Sequence, residues 1–267
     1  MTVGEACLLG LVQGMTEFLP ISSKGHLALV HRFLEPLPPD QQVAIDVALH
    51  VGTLVAVFVY FRRELLGMTM ALFKPRDAGW RFRWIWLLGL ATLPAAIIGL
   101  TWKDEIIDTF DSMPVLGACF LVTGTMLFLA SAVRGADRDE ESMGLGAAMT
   151  IGCFQALALF PGISRSGSTI SGGIFARVRP DVAARFSFLL GIPAIVGAEI
   201  VQLPALLSLG PEARIPILIG VVVAGVSGLA AIWTVLRLVE TGRLHYFSYY
   251  TWALGLVVLV GTAFFGL

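Results

Sequence analysis

Six runs of apolar residues, at 43–61, 84–102, 114–133, 182–205, 215–237 and 247–266, each reach the length at which a helix crosses a bilayer, roughly 20 residues. Such runs restrict the chain to an all-α, polytopic membrane fold, because backbone N–H and C=O groups in lipid must be satisfied within the spanning structure itself. Composition agrees: 57% of the residues are hydrophobic, only 14% are charged and mean hydropathy is +0.83, where a soluble domain carries about 25% charged residues. A net charge of −1 supplies no basic stripe for nucleic acid. Cys7, Cys119 and Cys153 are odd in number, far apart and embedded in apolar sequence, the pattern of small hydrophobes rather than of a disulfide or metal site. Glu5, Gln13 and Glu17 stand where a signal peptide would begin with basic residues, so this region is expected to belong to the mature structure.

Two further stretches, 3–35 and 144–178, are apolar enough to enter a bilayer but are interrupted midway by Pro, Gly and hydroxyl residues. Each is expected to form a re-entrant helix-loop-helix hairpin, whose irregular backbone survives at membrane depth only where protein or a wet cavity satisfies it. Laying residues 13–26 (QGMTEFLPISSKGH) over 155–168 (QALALFPGISRSGS) pairs Gln13 with Gln155, Phe18 with Phe160, Ile21 with Ile163, Ser22 with Ser164 and Gly25 with Gly167. Each copy is followed by three of the six runs, and an odd number of crossings inverts the second copy. The expectation is an inverted-topology repeat with halves at about 1–133 and 144–267, its site where the two broken segments meet.

Loop charge sets the orientation. Arg62, Arg63, Lys74, Arg76, Arg81 and Arg83 fill the first long loop, whereas Lys103, Asp104, Glu105, Asp108 and Asp111 make the next one mainly acidic; the first is therefore expected in the cytoplasm. Arg134, Arg138, Arg177, Arg179, Arg185, Arg237 and Arg243 then fall on the same side, and both termini outside it. Trp80, Trp84, Trp86, Trp102 and Trp252 lie near the ends of runs, where aromatic belts form.

The polar residues of the two broken segments carry the chemistry. Gln13 and Glu17 are four apart and share a helix face; a carboxylate in an apolar segment is costly unless paired or bound to metal. Glu17, helped by the Gln13 amide oxygen, is a candidate ligand for Mg2+ or Ca2+, which take few protein oxygens and complete their coordination with water and substrate phosphate. After Pro20, Ser22 reads as a helix cap or phosphate contact. Ser23 and His26 lie three apart at a helix start, so the imidazole is placed either to serve the hydroxyl as base or to attack phosphorus itself. In FPGISRSGST (Phe160 to Thr169), Gly162 and Gly167 let amides turn toward a ligand, Ser164, Ser166, Ser168 and Thr169 add hydroxyls, and the following helix aims its positive end at an anion. Arg165 supplies a planar fork for two phosphate oxygens. The spacing is not that of a Walker loop. Asp46 and His50, one turn apart, either face the cavity or pair at a helix end; Glu199, deep in a run, is a second polar contact or a subunit contact.

With these residues in view, the sequence resembles the undecaprenyl-diphosphate phosphatase family, BacA or UppP, the bacitracin-resistance proteins. The likeness rests on length, span layout, an [E/Q]xxxE motif written QGMTE, the FLPISSxGH run and the PGxSRSxxT run written PGISRSGST. The resemblance implies an enzyme of the bacterial cytoplasmic (inner) membrane that hydrolyses undecaprenyl diphosphate to undecaprenyl phosphate and inorganic phosphate, recycling the lipid carrier of cell-wall synthesis and giving bacitracin resistance. Bacitracin would compete indirectly, by binding the substrate. By motif position Glu17 and Gln13 fall at the metal-associated pair, Ser23 and His26 at the nucleophile or base, and Arg165 with Ser164 and Thr169 at the phosphate grip. Gln13 replaces a glutamate of many relatives, and Lys24 stands where threonine is common. The site is expected to open to the outer, periplasmic side. Self-pairing as a homodimer is left open. The rival reading is a polyprenyl-phosphate flippase, which needs an anion grip but no nucleophile; a structural scaffold leaves the clustered polar residues unexplained.

Overall fold

The computed structural model describes residues 1–34, 38–74, 79–110, 112–207, 210 and 213–265; Arg76, Asp111 and the last residue of the sixth apolar run lie outside them. The described residues form the helices α1 (Val3–Phe18), α2 (Ser23–His31), α3 (Pro39–Tyr60), α4 (Arg62–Phe73), α5 (Trp80–Thr101), α6 (Lys103–Asp108), α7 (Met113–Ala132), α8 (Leu145–Leu157), α9 (Arg165–Phe175), α10 (Pro180–Leu207), α11 (Arg214–Glu240) and α12 (His245–Phe265). No strand occurs among them; Arg138 and Val178 form an isolated bridge. The six segments long and apolar enough to cross a membrane lie in α3, α5, α7, α10, α11 and α12, where the apolar runs predict them. α4 and α6 were not anticipated, being too short and polar to register as spans.

The outer surface has the character of a lipid-facing one. Along α5, Trp86, Leu90, Leu93, Ile97 and Leu100 all point outward; exposed apolar area on this scale is not tolerated by a monomer in water. The opposite stripe of α5, Trp84, Leu87 and Ala91, is buried at the i, i+3, i+7 spacing of one helix face. Trp84 is thus not a belt anchor: it is 1% exposed and packs edge-on against Phe186 at 5.1 Å, because its face of α5 turns toward α8 and α10.

Packing crosses between the two halves of the chain. α1 lies mainly against α11, α8 against α5, α3 against α10 and α11, and α7 against α12. A Cβ on Gly10 would strike the backbone of Gly220, and one on Gly152 that of Ala91, so both short helices meet their partners backbone to backbone, as small residues permit in membranes. Between them Phe18 meets Phe188 edge-on at 5.6 Å, beneath the turn that follows α1.

Candidate active site

Glu17 sits in the last turn of α1, on the face shared with Gln13, whose Nε2 donates to Glu17 Oε2 at 3.2 Å. The helix stops at Phe18 because Leu19, which precedes proline, is driven out of helical geometry. The chain then turns through Ser22, held at φ 74°, and its hydroxyl caps α2 by accepting from the Gly25 N–H at 3.3 Å. Ser23 is consequently the first residue of α2, and its hydroxyl donates to Glu17 Oε2 at 2.6 Å.

The second segment repeats the construction. Gly162, at φ 89°, turns the chain where a Cβ would press on the backbone of Leu116. Ser164 caps α9 by accepting from the Gly167 N–H at 3.0 Å. Arg165 is the first residue of α9; its Nη2 donates to Glu17 Oε1 at 2.5 Å and its Nη1 to the Ser187 carbonyl at 3.3 Å. The two turns touch, since the Ser166 hydroxyl donates to the Leu19 carbonyl at 3.2 Å. Two helix N-termini, each with unsatisfied N–H groups and a positive end, therefore converge on one carboxylate that is 6% exposed. A carboxylate held there stands in the environment that favours a phosphate.

Other predicted residues serve this arrangement from within. Thr169 donates to the Arg165 carbonyl at 2.7 Å and accepts from the Ser187 hydroxyl at 2.5 Å, bracing the first turn of α9. His26 is not Ser23's partner: its Nδ1 faces the Ser22 carbonyl at 2.7 Å and its Nε2 the Tyr250 hydroxyl at 2.7 Å, and its ring lies parallel to that of Tyr250. Lys24 is exposed, with its ammonium 5.3 Å over the Phe110 ring. His50 Nε2 lies 3.7 Å from Glu17 Oε2, and its Nδ1 is 2.7 Å from the Asp46 carbonyl. The Asp46 carboxylate meets His31 at 3.0 Å. Glu199 is half-buried on α10.

A divalent cation has one fitting set of donors here. Gln13 is fully buried, yet its Oε1 has no hydrogen-bond partner, while the other end of the same amide reaches Glu17. An acceptor left over beside a carboxylate suits a hard cation. No cluster of three or more His, Cys, Asp or Glu with metal-holding geometry occurs among the described residues, so substrate oxygens or water must complete the coordination.

A family model described as bacitracin resistance protein BacA matches residues 6–257. The chain belongs to the BacA family. A BacA-family relative from Syntrophotalea carbinolica, named undecaprenyl-diphosphatase, is 43% identical over 96% of this chain and 97% of its own length. Relatives of the same name from Trichlorobacter lovleyi and Methanobrevibacter smithii are 42% and 34% identical, with 97% and 98% of each chain covered.

In this candidate site, Thr123, Ser187 and Tyr250 are contributions that sequence reading missed. The Thr123 hydroxyl donates to the Gly162 carbonyl at 3.0 Å and accepts from the Ser164 N–H at 3.1 Å, clamping the second turn from α7. The available signal was a hydroxyl inside an apolar span, which has to find a partner there, but nothing local names that partner.

Proposed function

We propose that the chain is an integral-membrane phosphatase that hydrolyses undecaprenyl diphosphate to undecaprenyl phosphate and inorganic phosphate. The observation that carries this reading is the convergence of Ser23 and Arg165, the first residues of two facing helices, on the Glu17 carboxylate, in a chain whose relatives along its whole length are named undecaprenyl-diphosphatase. A hydroxyl donating to a buried carboxylate is an activated nucleophile. Ser23 Oγ attacks the terminal phosphorus as its proton passes to Glu17 Oε2. The bond from phosphorus to the bridging oxygen breaks, and the lipid monophosphate leaves with the electron pair and takes up the proton from Glu17, which is a carboxylate again. Water then attacks the phosphoserine with Glu17 as base, releasing inorganic phosphate and restoring the hydroxyl. Arg165 and the N–H groups opening α2 and α9 hold the phosphoryl oxygens through both steps, the positioning and charge stabilisation on which phosphoryl transfer depends.

Glu17 and the Gln13 amide oxygen are the residues that would hold Mg2+ or Ca2+, which when bound neutralises phosphate charge. Ser22, Gly162, Ser164, Ser166, Gly167 and Thr169 shape the grip, mostly by capping and bracing the turns that open α2 and α9. We assign His26, whose Nε2 meets the Tyr250 hydroxyl, to serving the departing oxygen or the water.

In this reading α1–α2 and α8–α9 are re-entrant hairpins of an inverted repeat. What supports it is the crossed packing, α1 on α11 and α8 on α5, with Gly10 and Gly152 at matching places in the two copies, and the paired serine caps Ser22 and Ser164. The enzyme lies in the bacterial inner membrane with its site open to the outer side, and the isoprenoid tail stays against lipid-facing helices. Bacitracin acts by sequestering the diphosphate. A homodimer belongs to the reading as well, tested by the particle mass in detergent.

The crossed, broken-helix plan also suits alternating access, which favours a flippase for the same lipid as the second reading. Phosphate release from a polyprenyl diphosphate by purified protein decides between them. Ser23→Ala and Glu17→Gln should abolish it, and a carrier would show no release to lose. Near wild-type release by both variants overturns the proposed mechanism.

A further inference from the structure

His50 is a half-buried imidazole on α3 that no part of the mechanism above uses, although it faces the central carboxylate. Its Nδ1 lies 2.7 Å from the Asp46 carbonyl, an acceptor with no proton of its own, so the ring proton of a neutral His50 is on Nδ1. Nε2 is left with a bare lone pair, and it lies 3.7 Å from Glu17 Oε2. That separation is too long for a hydrogen bond. It is a few tenths of an ångström more than the roughly 3.0 to 3.4 Å between two donors that each lie about 2.1 Å from one ion. Gln13, whose Nε2 donates to the same Glu17 Oε2, carries an unpartnered Oε1 and is fully buried. A carboxylate oxygen, an amide oxygen and an imidazole nitrogen are all electron-pair donors, and a cation is the partner they share.

We propose that His50 Nε2 is the third protein ligand of a divalent cation held by Glu17 and Gln13, which makes the site one of mixed nitrogen and oxygen donors. The inference rests on the cation reading of those two residues. The backbone carbonyl on Nδ1 is the usual second contact of a metal-binding histidine, fixing tautomer and ring orientation. The Asp46 carboxylate, paired with His31 at 3.0 Å, anchors the helix turn that presents this carbonyl. Gln13 brings an oxygen but no charge, and His50 adds a donor without adding one either, so the site holds its ion with a single protein carboxylate. A nitrogen donor favours first-row transition ions over Mg2+ or Ca2+, and Mn2+, which accepts both donor types and is paramagnetic, is the ion suited to the test.

The test uses the purified full-length chain in detergent, with Mn2+ alone as the probe and pulsed electron paramagnetic resonance as the readout. Nitrogen modulation on bound Mn2+ is expected, and it should change to the 15N pattern when only histidine is 15N-labelled, a measurement that needs no variant. His50→Gln should abolish the modulation and weaken Mn2+ binding by at least about tenfold, whereas His26→Gln and His31→Gln keep the signal. Bound Mn2+ that depends on Glu17 but shows no histidine nitrogen, or keeps it in His50→Gln, overturns the His50 assignment and leaves Glu17 and Gln13 as the ligands. Wild-type protein that binds no Mn2+, or binds it equally well as Glu17→Gln, overturns both.

Discussion

Glu17 accepts hydrogen bonds from Ser23, Gln13 and Arg165, because an ionised carboxylate shut away from water is sustained only by donors and an opposite charge. Removing one partner of such a pair strands the other. Glu17→Ala should lower stability by about 3–5 kcal/mol, the cost of leaving Arg165 buried and unpaired, read as a lower thermal midpoint in detergent. It should also cut phosphate release at least a hundredfold, the low end of what a positioned base contributes. Ser23→Ala should separate the two effects, since it removes a hydroxyl and no charge: release is lost while the midpoint falls by only about 1 kcal/mol's worth. Equal destabilisation in both variants would mean that the serine is structural. The charged members of this group were legible in the sequence, because Glu17 and Arg165 are expensive in apolar segments and so demand a reason. Their pairing across 148 positions followed only from assuming that the two broken segments meet. Ser23's own partner was not legible. Sequence spacing favoured His26, three residues on, but the imidazole lies along the helix against the Ser22 carbonyl and Tyr250, and the carboxylate six residues back is the group within reach.

The turns that open α2 and α9 decide whether those side chains arrive. Thr123 fixes the second turn with one hydroxyl that both donates and accepts. Thr123→Val keeps the shape and removes both bonds, stranding a buried carbonyl and a buried N–H at about 1–3 kcal/mol each. The expected result is a fall in kcat/KM for a residue that never touches substrate, measured beside the thermal midpoint. Gly191 offers a cleaner probe. A Cβ there would collide with the Arg165 guanidinium, and alanine is otherwise welcome inside α10. Gly191→Ala should therefore keep the fold and push Arg165 off Glu17, lowering phosphate release at least tenfold, about 1.4 kcal/mol in the barrier; unchanged release would mean that Arg165 acts from another rotamer. At this scale the sequence was informative about breaks and caps, since Pro20 and Pro161 with Ser22 and Ser164 mark the helix ends they produce. It was silent about braces, because Thr123 and Ser187 sit in helices whose local pattern says only that they span.

Across the whole molecule, α1 packs against α11 and α8 against α5, and the candidate site draws on both ends of the chain: Glu17 and Ser23 come from the first half and Arg165 from the second. If the halves are inverted copies, the loop joining α7 to α8 and the segment around α6 lie on opposite sides of the membrane, with the Arg-rich first loop and residues 133–144 together in the cytoplasm. The latter loop is held close to the start of α10 by Arg185, which bonds Glu140 at 2.7 Å and Asp181 at 3.1 Å, and to the start of α5 by Arg83, which donates to the Glu140 carbonyl at 2.8 Å. These contacts draw basic residues from α5 and α10 to one face, as the charge rule requires. In a chain freed of Cys7, Cys119 and Cys153, a cysteine at Asp137 should react with a membrane-impermeant maleimide only after the cytoplasmic side is opened, and one at Glu105 should react in intact cells. Labelling of both positions from the same side would mean that α7 does not cross, and the second half could then not be an inverted copy of the first. The reverse pattern would keep the repeat and turn the protein over, moving its site to face the cytoplasm, where hydrolysis of a lipid diphosphate left on the outer leaflet would first require the headgroup to cross.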